Sequence, residues 1–408
     1  MGILKPLNPW GKRLERAYWV AWKQVKDVGP VLIKRLYERF GSLATAWQAP
    51  PADLLTVDGI GLVTADQISQ LRSQLNPHQL LEQHEAQSPN FWTPADPDYP
   101  SLLWEIPDPP PVLYYRGSLR PNRLPAITLA IVGTRRPSPY GQRWTQRLSR
   151  RCSQQQIAIV SGMAAGIDTY AHQSCLHNRG QTIAVLGTGV DVIYPRSNEH
   201  LYHRILETGL ILSEYPNGTP PERSHFPQRN RIIAGLSHAT LVTEAPQRSG
   251  ALITAYLAND YGRHVYALPG GLDNPTSLGC LVLINTGAAM VMGEDRLVQD
   301  LLNIGAANPD AANPAVDTGK ASPVPIEQTL SAPTANVISA SITENENKFS
   351  ELDVALQPIF QLIPNVPISL DALVETTQLD TSVLLSGLLQ LEIAGFVVQL
   401  PGGRYQRT

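Results

Sequence analysis

Arginines beside glycines supply most of the chemistry-bearing residues of this sequence. Gly133, Thr134, Arg135, Arg136 and Ser138 stand in GTRRPS, and Arg229, Asn230 and Arg231 stand in FPQRNR, with Arg223 and His225 just upstream. A third phrase, SGMAAGID, begins with Ser161 and Gly162. Glycine lets a backbone come close to a ligand, and a guanidinium grips phosphate oxygens in a fork. At a helix start, free N–H groups add to the attraction for an anion. The chemistry these types can do is to hold phosphates, with the Asn230 amide able to read a base or sugar.

Bond-breaking chemistry fits less well. Asp168, Asp191, Glu214 and Glu244 follow apolar runs, and Ser161 is a conceivable nucleophile. Yet no GxSxG elbow occurs and no His is placed beside that Ser. The acids read better as partners that orient arginines and cap helices, with Asp168 predicted to cap the helix after it. No Gly-Lys-Ser/Thr loop is present, and LGTGVDVIYP lacks the third glycine of a dinucleotide fingerprint. His200 with His203, and His172 with His177, lack a third ligand, so no metal, cofactor or catalytic residue is assigned.

The elements that must position these residues are short apolar runs: 127–132, 157–160, 182–186, 210–213, 239–243 and 264–268. Each stops at Gly, Ser, Glu or Pro, and helix-length segments separate them. Runs without alternation suit strands covered on both faces, so the pattern predicts a doubly wound, mostly parallel α/β sheet. Ligands of such sheets bind outside the carboxyl ends of the strands, where all three loops fall.

Several class restrictions follow from the totals. The chain has 408 residues and a formal net charge of −3, so any anion site is a local patch rather than a global field. Between 126 and 160 stand six arginines and no acid. Arg143, Arg147, Arg150 and Arg151 are read there as a solvated helix face paired with acids elsewhere. Three dispersed cysteines argue against disulfides and fit a reducing cytoplasm. No apolar run approaches the roughly 20 residues of a membrane span.

Four segments are expected. Residues 1–87 carry two glycine turns ahead of amphipathic helices, at 28–42 and 57–71, a helix-hairpin-helix or SAM-like module that either meets phosphate or only packs. Residues 88–302 form the α/β domain, opened by a proline-rich stretch. Its Trp92, Tyr99, Trp104, Tyr114 and Tyr115 are expected to pack against the sheet, and VLYYRG (112–117) to add an edge strand. Residues 303–348, without an aromatic, are read as a disordered linker. Residues 349–408 read as a winged helix. Its 381–394 segment has no Lys or Arg, which favours a protein partner over duplex DNA. In GCLVLI, Leu281 and Ile284 lie in a turn apolar on every side, suited either to a homodimer contact or to burial.

The ordered phrases GTRRPS, SGMAAGID, LGTGVDVIYP, SEYP, FPQRNRIIAGLS and SGALITA together resemble the DprA/Smf family, over nearly the whole chain. The resemblance implies an extended Rossmann domain that binds single-stranded DNA in a basic pocket, forms a homodimer and helps load RecA recombinase during natural transformation, without being an enzyme. By motif it assigns the pocket to Arg135, to Arg196 after Tyr194-Pro195, and to Arg229 through Arg231. It sets the dimer and recombinase surface near Leu281 and Ile284. Arg196 stands where many members have lysine, and Leu281 where a polar residue is common. Tyr140, Tyr194 and Phe226 are candidates for stacking on bases. PGGLDN (269–274) resembles the PGG phrase of nucleotide phosphoribohydrolases without its GT..E continuation, so such an enzyme, tested at Glu244, is the alternative.

Overall fold

The computed structural model describes residues 9–119, 125–306 and, towards the C-terminus, 360, 363, 368–369, 373, 384, 388, 391, 396–400 and 404–407. Apart from its first four residues, which complete helix Glu294–Ala306, the linker expected at 303–348 lies outside the described residues.

Nine strands make one sheet: β1 (Phe91–Trp92), β2 (Leu113–Gly117), β3 (Thr128–Gly133), β4 (Ala158–Ser161), β5 (Thr182–Leu186), β6 (Leu210–Ser213), β7 (Ala239–Glu244), β8 (His264–Ala267) and β9 (Ala289–Met290). Their spatial order is β1-β2-β6-β5-β4-β3-β7-β8-β9. From β6 to β9 every pairing is parallel; the β1–β2 and β2–β6 pairings are antiparallel, so β2 alone runs against the other strands. The six apolar runs became strands because each could be covered on both faces. Leu129 and Ile131 of β3 enter one core with Leu148, Cys152, Ile167 and Leu301, while Ala130 and Val132 enter the other with Ile232, Ile233, Leu252 and Ala255.

Chain order reverses between β3 and β7. The crossover from β3 leads to β4 on one side, and the chain later returns to place β7 on the other. The crevice of a doubly wound sheet opens at such a point.

The VLYYRG strand is not the edge. Phe91 pairs with Tyr114 and Trp92 with Leu113, so β1 covers it. Trp92 stacks on Tyr115 with ring centroids 3.9 Å apart, while Trp92, Tyr99 and Tyr114 are buried. These rings are spent on packing because the proline-rich stretch fills the space between the sheet and the N-terminal helices. Trp104 meets Trp19 edge-on at 6.0 Å and Tyr37 at 5.5 Å. The N-terminal helices, from Pro9–Trp22 through Pro77–Gln87, surround their own core of Trp22, Ile33, Leu36, Trp47 and Ile68. Lys23 then ties this layer to the sheet by donating its Nζ to the Glu214 carbonyl at 2.9 Å.

In the C-terminal unit, β10 (Ile368–Ser369), β11 (Val397–Leu400) and β12 (Arg404–Arg407) form an antiparallel sheet in the order β10-β12-β11. The hairpin expected in FVVQLPGGRYQR is the β11–β12 pair. Leu384, Leu388 and Leu391, spaced by one helical turn, join Val397 and Tyr405 in its core.

Candidate nucleic-acid interface

At the β3/β7 crevice lies an open cleft of about 760 Å³. Gly133, Thr134, Arg135 and Arg136 contribute from the end of β3, and Pro246, Arg248, Ser249 and Gly250 from the end of β7. Arg223, Phe226, Arg229 and Asn230 complete it from helix His225–Gly235 and its approach. A narrower recess of about 60 Å³ adjoins it between Arg135, Gly162, Gly187, Tyr194 and Phe226. Arg135, Arg136, Arg223 and Arg248 are exposed, while Asp168 is the one carboxylate in the cleft lining. An acidic chain thus gathers positive charge around this concavity, where low-dielectric walls focus the field.

The floor is Arg229, 5% exposed. Its Nη1 donates to Gly162 O at 2.6 Å and to Val185 O, and its Nε donates to Asn230 Oδ1 at 3.3 Å. Burial pulls the guanidinium pKa down to about 10, opposed by the charge of Asp168. Asp168 is itself buried, which raises its pKa; Arg229 and the loop N–H groups work in the other direction. It does not cap the helix that follows. It is the second residue of helix Ile167–His177, and its Oδ2 accepts from Gly162 N at 3.1 Å and Ala164 N at 3.3 Å. A carboxylate within a helix's first turn can reach back to the loop before it, and here it shapes the SGMAAG turn.

The glycines were read as room for a ligand, yet two of them make room for the protein. A side chain at Gly162 would strike the Arg229 guanidinium, and one at Gly133 would strike Ile167 Cγ1 at 2.5 Å and Glu244 O at 2.7 Å. Both still line the cavities with their backbones.

Aromatic surface completes the rim. Tyr194, 39% exposed, stacks on Phe226 at 5.4 Å, and Arg135 Cζ lies 5.7 Å from the Phe226 ring centre.

Other predicted positions separate from this group. Ser161 is fully buried, its hydroxyl donating to Ile131 O at 2.6 Å, so it offers a ligand nothing. Ser138 caps helix Pro139–Gln154 through Gly141 N at 3.2 Å. Asn230 lines the cleft, but its amide donates to Gly250 O at 3.2 Å and so ties the middle of its own helix to the start of helix Gly250–Asp260. Arg196 is exposed in the short turn Arg196–Asn198, next to Tyr194 and Pro195 but outside the lining.

Arg231 is turned away altogether. It pairs with Glu214, donates to Asp108 O at 2.6 Å and lies 3.6 Å from the Asp108 carboxylate. Burial opposes its charge, but Glu214 and Asp108 hold its pKa above the ordinary value.

Glu244 has a comparable role. Its carboxylate accepts from Ser138 N at 2.8 Å, Asn274 Nδ2 at 3.1 Å and Thr276 Oγ1 at 2.5 Å, binding the loops after β3 and β8 together. Arg248 went unnoticed in the sequence, although PQRSG follows an apolar run and opens a helix, the same signal that marked the other loops. Leu281 and Ile284, on helix Leu278–Asn285, are half-buried; Ile284 packs against the core that holds Leu283.

Residues 90–302 match the family model described as DNA recombination-mediator protein A, and residues 347–403 match the DprA winged helix domain. Protein Smf of Synechocystis sp. is 46% identical over 405 residues, covering 96% of this chain and 99% of that protein. DNA processing protein DprA of Streptococcus pneumoniae is 45% identical over 205 residues, covering 50% of this chain and 72% of its own length. The X-ray structure of the pneumococcal protein superposes with a TM-score of 0.60 at 33% identity, over 70% of this chain and 97% of that one.

Proposed function

The chain belongs to the DprA/Smf family of DNA recombination-mediator proteins, and from that premise we propose that it binds single-stranded DNA in the arginine cleft without catalysing a reaction on it. The observation that carries this reading is the cleft's charge: four exposed arginines surround a concavity with one buried carboxylate. Phosphates lie against Arg135, Arg136, Arg223 and Arg248, and Arg229 supports the floor from beneath. A base enters the recess beside Tyr194 and Phe226, where its π face finds an aromatic ring whatever the sequence. A strand-end crevice admits one backbone with splayed bases, whereas a duplex keeps its bases stacked inside.

Supporting the recombination role is membership itself. In this reading the protein shelters incoming strands in the cytoplasm and helps RecA assemble on them during transformation. A homodimer through Leu281 and Ile284 doubles the number of clefts, and the winged helix recruits a protein partner. The four segments at 1–87, 88–302, 303–348 and 349–408 divide this work. The reading is tested by anisotropy of labelled oligothymidylate against the purified chain across a salt series, with a duplex competitor. Preference for the single strand with a steep salt slope is expected. Equal affinity for duplex, or no binding at low salt, rejects the cleft as a single-strand site. RecA assembly on the same strand, followed with and without the chain, tests the loading role.

A further inference from the structure

We propose that the outward face of helix Pro139–Gln154 is a second contact surface for single-stranded DNA, along which a strand continues once it leaves the cleft. The proposal rests on the cleft reading. The helix begins immediately after Arg136 on the cleft rim, with Ser138 as its cap, and its 16 residues span about 24 Å, room for several further nucleotides.

Its two faces differ in kind. Thr145, Leu148, Ser149 and Cys152 are buried, while Arg143, Arg147 and Arg150 are exposed, and the helix has no Asp or Glu. Spacings of three and four put Tyr140, Arg143, Trp144, Arg147 and Arg150 on a common side. Trp144 is only half-buried, with Arg147 Cζ 4.6 Å from the centre of its ring and Tyr140 at 6.3 Å. A half-exposed ring with a guanidinium against it and further arginines along the same face is a combination that suits a single strand, the ring stacking a base while the cations take phosphates. Tyr140 and Trp144 also pack against the core beneath the helix, and each remains only half-buried.

Acids do reach this face. Arg147 pairs with Glu294 at 3.0 Å and Arg151 with Asp295 at 2.7 Å. Both are solvent-exposed pairs of little stabilising worth, so phosphate can displace the carboxylates. Arg143 and Arg150 have no ion-pair partner among the described residues. They mark the two ends of a stripe separated by about 10 Å along the axis. The chain's net charge of −3 makes such a stripe a local feature, continuous with the cleft and with no general attraction for polyanions behind it.

The test compares oligothymidylates of about six and about 20 nucleotides on the full chain, the longer exceeding a typical single-module site of up to about 16. Arg143→Ala/Arg150→Ala is expected to bind the short strand as wild type does. On the long strand it should lose about tenfold in affinity, with a log-log salt slope shallower by about 1.4 for two lost phosphates. Trp144→Phe should remove part of the tryptophan quenching that only the long strand causes. An unchanged long-strand affinity and slope overturns the track, and so does equal weakening at both lengths. Arg135→Ala separates the two readings: the cleft reading predicts weaker binding of both strands, and its failure appears as wild-type binding of the short one.

Discussion

Arg229 and Arg231 stand two residues apart in helix His225–Gly235 and serve opposite sides of it. Arg229 donates to Gly162 O in the cleft floor, whereas Arg231 pairs with Glu214 at the end of β6, beyond the cleft. A rotation of about 200° between them follows from the helical repeat. Glu214 also holds Lys23 through its carbonyl, so one side of the helix is anchored to the N-terminal layer while the other lines the cleft.

Arg231→Ala is therefore a stability variant. Removing the guanidinium takes its ion-pair partner from the half-buried Glu214, with Lys23 left as the nearby cation, at an expected cost towards the lower end of about 3–5 kcal/mol. A urea titration should show the midpoint fall accordingly. A stable Arg231→Ala protein whose single-strand salt slope had dropped would instead make this arginine a phosphate ligand.

Arg135→Ala and Arg136→Ala should do the reverse. Both side chains are exposed, so stability should stay within about 0.5 kcal/mol of wild type. Each loss should flatten the salt slope for a single strand by about 0.7. Thermal melts and anisotropy on the same preparations decide the point.

Glu244→Gln replaces one carboxylate oxygen with an amide donor, among three groups that all donate: Ser138 N, Asn274 Nδ2 and Thr276 Oγ1. At least one is left unpaired, and a loss of about 1–3 kcal/mol is expected. The same residue tests the hydrolase alternative. Incubation of the wild-type chain with nucleoside monophosphates should release no free base, and release abolished by Glu244→Gln would reinstate that enzyme reading.

Stability should decline as pH falls from 6.5 to 5, before most carboxylates titrate. His172 is fully buried, and burial followed by the charge of Arg229 lowers its pKa to about 3; burial with Lys23 and Arg16 lowers that of His84 to about 4. Their folded pKa values lie below the unfolded 6.5, so the unfolded chain binds protons that the folded chain excludes. The stabilisation is complete above pH 6.5 and drains away toward the folded pKa, by up to about 1.4 kcal/mol per pH unit for each histidine. Thr182 donates its hydroxyl to Ile159 O, so His172 Nδ1 must carry the proton of the bond between them at 2.7 Å. His172→Gln should flatten the pH dependence of the urea midpoint, and an unaltered slope would remove His172 as its source.

The amino-acid sequence by itself determined the sheet. Apolar runs such as 182–186 and 210–213 have no other stable fate than burial on both faces, and the Gly, Ser and Glu that end them put the loops at one edge. It also disclosed which loops carry arginine, because charge in an acidic chain is visible without coordinates. Tertiary structure alone decided which arginine meets solvent. Arg229, Asn230 and Arg231 are neighbours in sequence, but a helix turns about 100° per residue, and their burial depends on Glu214 and Gly162, which arrive from distant strands. For the same reason GTRR could not reveal that Gly133 accommodates Ile167, nor SGMAAGID that Asp168 reaches back to its own loop. Periodicity records what a local segment can bury; the partner that takes each polar group is a property of the assembled fold.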